Sequence, residues 1–145
     1  MRKIILVGNP NVGKSTLFNS LTKSCEVTGN FHGVTVEEKS KVVKFENQEI
    51  EFVDLPGLYS LNSFSPEEEV SRNAVLNENN EIFVLCDINC IRKNFYLCQQ
   101  LNELGINYKI LINNHKNFEK NNKIDINKLK NKMIYGWQVI LVNFF

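Results

Sequence analysis

Apolar and polar positions along this chain follow two different periods, and the changes between them mark out strands and helices. The run "KIILVG" (3–8) is apolar almost throughout, as a strand buried on both faces of a sheet must be. After it, "GKSTLFNSLTK" places Leu17, Phe18 and Leu21 on one helical face. "EEKSKVVKFENQEIEFVDL" (37–55) alternates polar and apolar around "ENQE", which predicts a hairpin of two strands. "SPEEEVSRNAVL" (65–76) predicts a helix with Ser65 as N-cap, Pro66 at its first position and acids in its first turn. "EIFVLCD" (81–87) is a strand, and "CIRKNFYLCQQLNELG" (90–105) a helix closed by Gly105. "NYKILIN" (107–113) and "QVILVN" (138–143) read as strands, with a short helix "DINKLKNKMI" (125–134) between them.

Strands alternating with helices imply an α/β fold, a mostly parallel sheet covered by helices on both faces. No repeat or Pro-rich linker divides the chain, so residues 1–145 read as a single domain. The polar, Asn/Lys-rich "NHKNFEKNNK" (114–123) reads as a solvated loop. No helical pattern follows the last strand, so the final helix expected of such a fold is absent and the domain reads as truncated at its C-terminus.

A chain of 145 residues is long enough to bury a real core, about 68–70% of the surface its unfolded form exposes. The formal net charge of +1 argues against an electrostatic nucleic-acid binder. No apolar run approaches the roughly 18 residues needed to cross a bilayer, so no direct membrane insertion of this segment is expected. Cys25, Cys86, Cys90 and Cys98 form no Cys-x-x-Cys pair and read as plain thiols, with Cys86 buried in "IFVLC".

The chemistry begins at "GNPNVGKS", Gly8 to Ser15, which matches G-x-x-x-x-G-K-[ST] in full. It follows a strand and opens a helix, the context that a phosphate-binding loop requires. Gly8 and Gly13 let the backbone curl so that N–H groups face the phosphates, aided by the helix N-terminus. Lys14 brings a charge to the β/γ-phosphates, and the Ser15 hydroxyl suits Mg²⁺. Asn9, Pro10, Asn11, Val12 and Thr16 complete the nucleotide-binding loop. "DLPG" ends a strand, so Asp54 can reach Mg²⁺ while the Gly57 N–H reaches a γ-phosphate. In "GVTVE", Gly33 and Val34 lead to Thr35, whose hydroxyl would complete the metal shell. Two such loops order around a γ-phosphate and relax after hydrolysis.

"GNPNVGKSTLFNSLT", "VTGNFHGVTVEEK", "VDLPGLYSLNSFSPEE" and "CIRKNFYLCQQLNELGI" together resemble the G domain of ferrous iron transport protein B, a Ras-like P-loop GTPase. The resemblance runs from about Arg2 to Ile112 and weakly to the end. It implies a slow, Mg²⁺-dependent GTPase that binds GTP and GDP. It also implies a regulatory role at the cytoplasmic face of a bacterial inner-membrane Fe(II) transporter, with the membrane domain as partner. Where the family has Trp-Pro, this chain has Phe31-His32, and His32 reads as incidental. Potassium-activated members carry an Asn at the fourth place of the loop; resemblance therefore gives Asn11 a K⁺ ligand's role, against the plainer one of shaping the loop. Catalytic weight falls on Asn11, Lys14, Thr35 and Gly57. Ras-type enzymes place a water-orienting Gln where this chain has Leu58, which accounts for the slowness.

The base-reading half departs from the family. Asn113 and Asn114 stand where Asn-Lys-x-Asp begins, but Lys116 replaces the Asp that accepts from guanine N1–H and N2–H₂. An ammonium only donates. Loss of two charged hydrogen bonds amounts to about 3–6 kcal/mol, roughly 10²- to 10⁴-fold in affinity. Asn143 and Phe144 take the place of the family's Ser-Ala, so a Phe144 N–H still meets the base O6 while its ring crowds the site. Three explanations stay open: relaxed base choice in a divergent protein, a truncated or decayed copy, or a shifted loop in which Glu119 supplies the carboxylate. Two other functions compete with the transporter GTPase. A soluble RNA- or ribosome-associated GTPase would need a basic extension, and a non-hydrolysing nucleotide-binding fragment would need only the phosphate loop.

Overall fold

In the computed structural model, residues 1–23, 26–32, 39–62, 65–113 and 138–141 are described, with backbone alone for 26–32 and 138–141. β1 (Arg2–Val7) lies inside a seven-stranded sheet because both of its faces are apolar. Ile5 and Val7 enter one hydrophobic cluster, Ile4 and Leu6 another, as the period-2 alternation of side chains across a sheet requires. The strand order is β2-β3-β4-β1-β5-β6-β7, with β2 at Glu26–His32, β3 at Lys39–Phe45, β4 at Gln48–Asp54, β5 at Glu81–Asp87, β6 at Tyr108–Asn113 and β7 at Gln138–Leu141. β1 runs parallel to β4 and β5, β5 to β6, and β6 to β7. Only β2–β3 and β3–β4 are antiparallel.

Helix α1 (Lys14–Lys23) packs Leu17 and Phe18 on the cluster containing Ile4, Leu6, Val43 and Ile50. Helices α2 (Pro66–Leu76) and α3 (Ile91–Glu103) cover the other face through Val75, Leu97 and Leu101. Ser65 caps α2 as expected, accepting from the Glu68 N–H, and the Glu68 carboxylate in turn accepts from the Ser65 N–H, which makes a reciprocal capping box. Gly105, at φ 68, follows α3 in the left-handed conformation that ends helices. Cys86 is buried as expected; its contact with the Cys98 sulfur, together with burial, pushes its thiol up and leaves it inert.

Two expectations change. β2 has no counterpart in the alternation of the sequence, because a register shift between Val27 and Gly29 breaks the period-2 pattern. The segment before α3 begins with a 3₁₀ turn, Ile88–Cys90, so the α-helix proper starts at Ile91. The helix expected over 125–134 lies outside the described residues.

Candidate nucleotide site

The parallel strands β1, β4, β5 and β6 end on one side of the sheet, and the chemistry-bearing residues collect there. Beyond β1, the loop 8–13 turns back on itself through two left-handed residues, Asn11 at φ 66 and Gly13 at φ 95. Asparagine tolerates that conformation better than most residues, and glycine adopts it freely. Gly8 is needed for a different reason. A Cβ there would stand 2.5 Å from the Leu85 carbonyl oxygen of β5, so a larger residue would force the loop off its strand. α1 starts directly behind, its first turn closed by the Leu17 N–H donating to the Gly13 carbonyl at 2.9 Å.

In the first turn of α1, Lys14 and Ser15 meet Asp54, the last residue of β4. The Lys14 Nζ stands 3.3 Å from the Asp54 Oδ1, with both side chains about nine-tenths buried (10% and 7% exposed). The Ser15 hydroxyl donates to the Asp54 Oδ2 at 2.9 Å. The Lys14 contact is an ion pair without hydrogen-bond alignment, so Oδ1 is a buried oxygen that no donor among the described residues satisfies. The hydroxyl and carboxylate oxygens would suit a hard divalent cation, and the ammonium beside them would suit phosphate oxygens. The orphaned Oδ1 is the observation that fits Mg²⁺ to Ser15 and Asp54. Asn9, 4% exposed, likewise has a buried Oδ1 without a partner among the described residues. Asn11 is solvent-exposed on the loop.

Two other elements brace the loop. Asn113, at the end of β6, donates from Nδ2 to the Val12 carbonyl at 3.3 Å. Its amide thus ties the phosphate loop to the strand expected to lead to the base. The segment after β4 closes over the loop from the other side. The Leu58 N–H donates to the Gly8 carbonyl at 2.9 Å, and a Cβ on Gly57 would lie 2.5 Å from the Pro10 Cγ. Leu58 itself is fully buried among core residues, so its side chain points away from any phosphate.

The described residues thus bring together Gly8 to Ser15, Asp54, Gly57 and Asn113, with Thr16 exposed in the first turn of α1. Gly33, Val34, Thr35, Asn114, Lys116, Glu119, Asn143 and Phe144 lie outside the described residues. Two further residues hold the 55–62 segment. The Ser71 hydroxyl of α2 donates to the Pro56 carbonyl at 3.0 Å, and the Leu61 N–H donates to the Gln100 Oε1 of α3 at 2.7 Å. Ser71 left a trace in the sequence, a hydroxyl one turn before Val75 on the apolar face of its helix. Gln100 left none, since its partner is 39 positions away. No group of three or more metal-ligating His, Cys, Asp or Glu occurs among the described residues. None of their helices is long and apolar enough to cross a membrane.

A family model described as ferrous iron transport protein B matches residues 2–143. The Fe(2+) transporter FeoB of Methanocaldococcus jannaschii is 43% identical over 104 residues, covering 71% of this chain and 16% of the relative. That of Leptospira biflexa is 35% identical over 145 residues, 98% of this chain and 21% of the relative. The chain therefore spans about a fifth or less of the length of these curated relatives. Among solved structures, the FeoB G-domain from Methanococcus jannaschii superposes with a TM-score of 0.78 at 33% identity, covering 99% of this chain and 88% of that one. NFeoB from S. thermophilus bound to GDP.AlF4- and K+ gives a TM-score of 0.78 at 38% identity, covering 99% and 56%.

Proposed function

The chain belongs to the ferrous iron transport protein B family, and from that premise we propose that it is a Mg²⁺-dependent GTP-binding and GTP-hydrolysing domain. In this reading it regulates an Fe(II) membrane transporter from the cytoplasmic face of the membrane. The observation that carries it is the cluster at the phosphate loop, where Lys14 and Ser15 converge on the buried Asp54 at 3.3 and 2.9 Å. Without a nucleotide, the ammonium neutralises the carboxylate. With one, Lys14 turns its charge to the β/γ-oxygens, and the Asp54 and Ser15 oxygens are left to hold the metal. Mg²⁺, when bound, supplies charge neutralisation between the phosphates. Gly57 offers its N–H toward the γ-phosphate. Leu58 contributes no polar group, so turnover is slow. GTP turnover that persists undiminished in excess EDTA would contradict this assignment.

Monovalent cations provide a second test. Asn11 holds K⁺ beside the phosphates in this proposal, a charge that stabilises the transition state where no arginine finger is supplied. The S. thermophilus protein named with GDP.AlF4- and K+ supports it. Hydrolysis is expected to run faster in K⁺ than in Na⁺, with Asn11→Ala erasing the difference. Equal rates of the natural chain in the two salts would remove the potassium role and leave the GTPase assignment standing.

Gly57→Ala gives a third. Its added methyl would stand 2.5 Å from the Pro10 Cγ and 2.9 Å from both Cδ and N, a ring and a backbone that cannot turn aside. Overpacking of this kind costs typically about 1–3 kcal/mol. If that cost falls on the reactive position of the loop, turnover slows about fivefold to 150-fold. GDP affinity is expected to stay within about threefold, as the phosphate loop itself is unchanged. Rapid-quench hydrolysis and GDP titration on one protein sample separate the two effects.

A further inference from the structure

We propose that Gln100 is a positioning residue for hydrolysis, holding the segment after β4 against the phosphate site through its amide oxygen. The inference rests on the hydrolysing role just proposed and assigns part of it to a helix remote from the nucleotide.

The segment from Leu55 to Asn62 carries the backbone that faces a γ-phosphate. Its side chains anchor it from below, with Leu55, Leu58 and Leu61 at 2%, 0% and 8% exposure. Its start is fixed by the phosphate loop through Leu58 and Gly8, and by α2 through Ser71 and Pro56. Beyond Leu58 the restraint changes hands. There the Leu61 N–H donates to the Gln100 Oε1 at 2.7 Å, the shortest of these contacts, from a half-buried position on α3. Gln100 follows Leu97 and precedes Leu101, both fully buried, so its backbone belongs to a rigid part of the helix. A short bond from a rigid helix to a loop amide fixes where that loop stands.

Position matters more here than in an enzyme with a polar side chain at residue 58. Leu58 brings no group that could adjust to the attacking water, so the backbone's placement sets the rate. Loss of the Gln100 acceptor leaves the Leu61 N–H without its partner and frees the distal half of the segment. The phosphate loop keeps its own ties, to Asn113, within α1 and to the Leu58 N–H, none of which involves Gln100.

The test compares the natural chain with Gln100→Leu, which keeps the side chain's bulk, and Gln100→Glu, which keeps an acceptor oxygen. Expected for Gln100→Leu is a kcat about three- to tenfold lower, the equivalent of one ordinary hydrogen bond, with KM and GDP affinity within about twofold. The Leu61 amide should exchange with solvent faster in Gln100→Leu, measured in the GDP-bound chain. Gln100→Glu should recover both the rate and the protection. Full turnover in Gln100→Leu overturns the proposal, as does a Gln100→Glu variant no faster than Gln100→Leu. A proportional loss of GDP affinity overturns it too, since the residue would then act on the whole domain. A natural chain that binds GTP and never turns it over refutes the hydrolysing role itself, whereas equal Leu61 exchange in all three proteins refutes only the bond.

Discussion

Lys14→Ala is expected to lower GDP affinity more than a hundredfold, to below what calorimetry detects at ordinary protein concentrations. The ammonium is the cation held inside the phosphate loop. A charged hydrogen bond contributes about 1.5–3 kcal/mol. Two unit charges about 4 Å apart at an effective dielectric of 20 interact by about 4 kcal/mol. Even a fraction of these together exceeds the roughly 2.7 kcal/mol that corresponds to a hundredfold. The substitution has a second effect in the absence of ligand. It strands Asp54, whose side chain is 7% exposed and whose ion-pair partner stood 3.3 Å away. Breaking a buried pair from one side costs about 3–5 kcal/mol, so the melting temperature falls as well. The double variant Lys14→Ala, Asp54→Asn should regain most of that stability and none of the binding. Undiminished GDP affinity in the single variant would end the assignment of a phosphate-binding loop.

Lys116→Asp is expected to raise GDP affinity by up to about 10²- to 10⁴-fold, the value of two charged hydrogen bonds to the guanine edge. The gain is smaller to the extent that Phe144 crowds the base. ADP affinity should stay unchanged or weaken, because a carboxylate repels the adenine N1 lone pair. The natural chain, with a donor-only ammonium at this position, should prefer GDP over ADP by well under about a hundredfold. Its phosphate contacts, blind to the base, keep triphosphate binding intact. Competition binding of GDP and ADP to both proteins decides the matter. A thousandfold GDP preference in the natural chain would mean that another residue reads guanine, with Glu119 the first to examine.

The elements whose apolar residues obey one clean period were legible from the sequence. β1, β4, β5 and β6 announce themselves as runs buried on one or both faces, and α2 by its N-cap Ser65, Pro66 and first-turn acids. The phosphate loop was legible because its chemistry is local: four glycine, lysine and serine constraints fall within eight residues. Asp54 was legible because a strand end delivers it. β2 was not, since the shift at Val27/Gly29 puts neighbouring side chains out of phase. Nor were the Asn113–Val12 tie and the Gln100–Leu61 bond, 101 and 39 residues apart in sequence. No local pattern encodes a contact that only tertiary folding creates.

The two sides of the nucleotide site grow from different interiors. Val12 of the phosphate loop packs with Leu17 and Phe18 on the α1 face of the sheet, whereas Leu55, Leu58 and Leu61 pack with α2 and α3 on the opposite face. Under mutation pressure, then, grip and turnover need not decay together. A lineage that accumulates small cavities beneath α2 and α3 loses its rate while continuing to bind, and one eroded beneath α1 loses its ligand first. If the domain hydrolyses GTP as proposed, it has a route from enzyme to pure nucleotide sensor that leaves the phosphate loop itself unaltered.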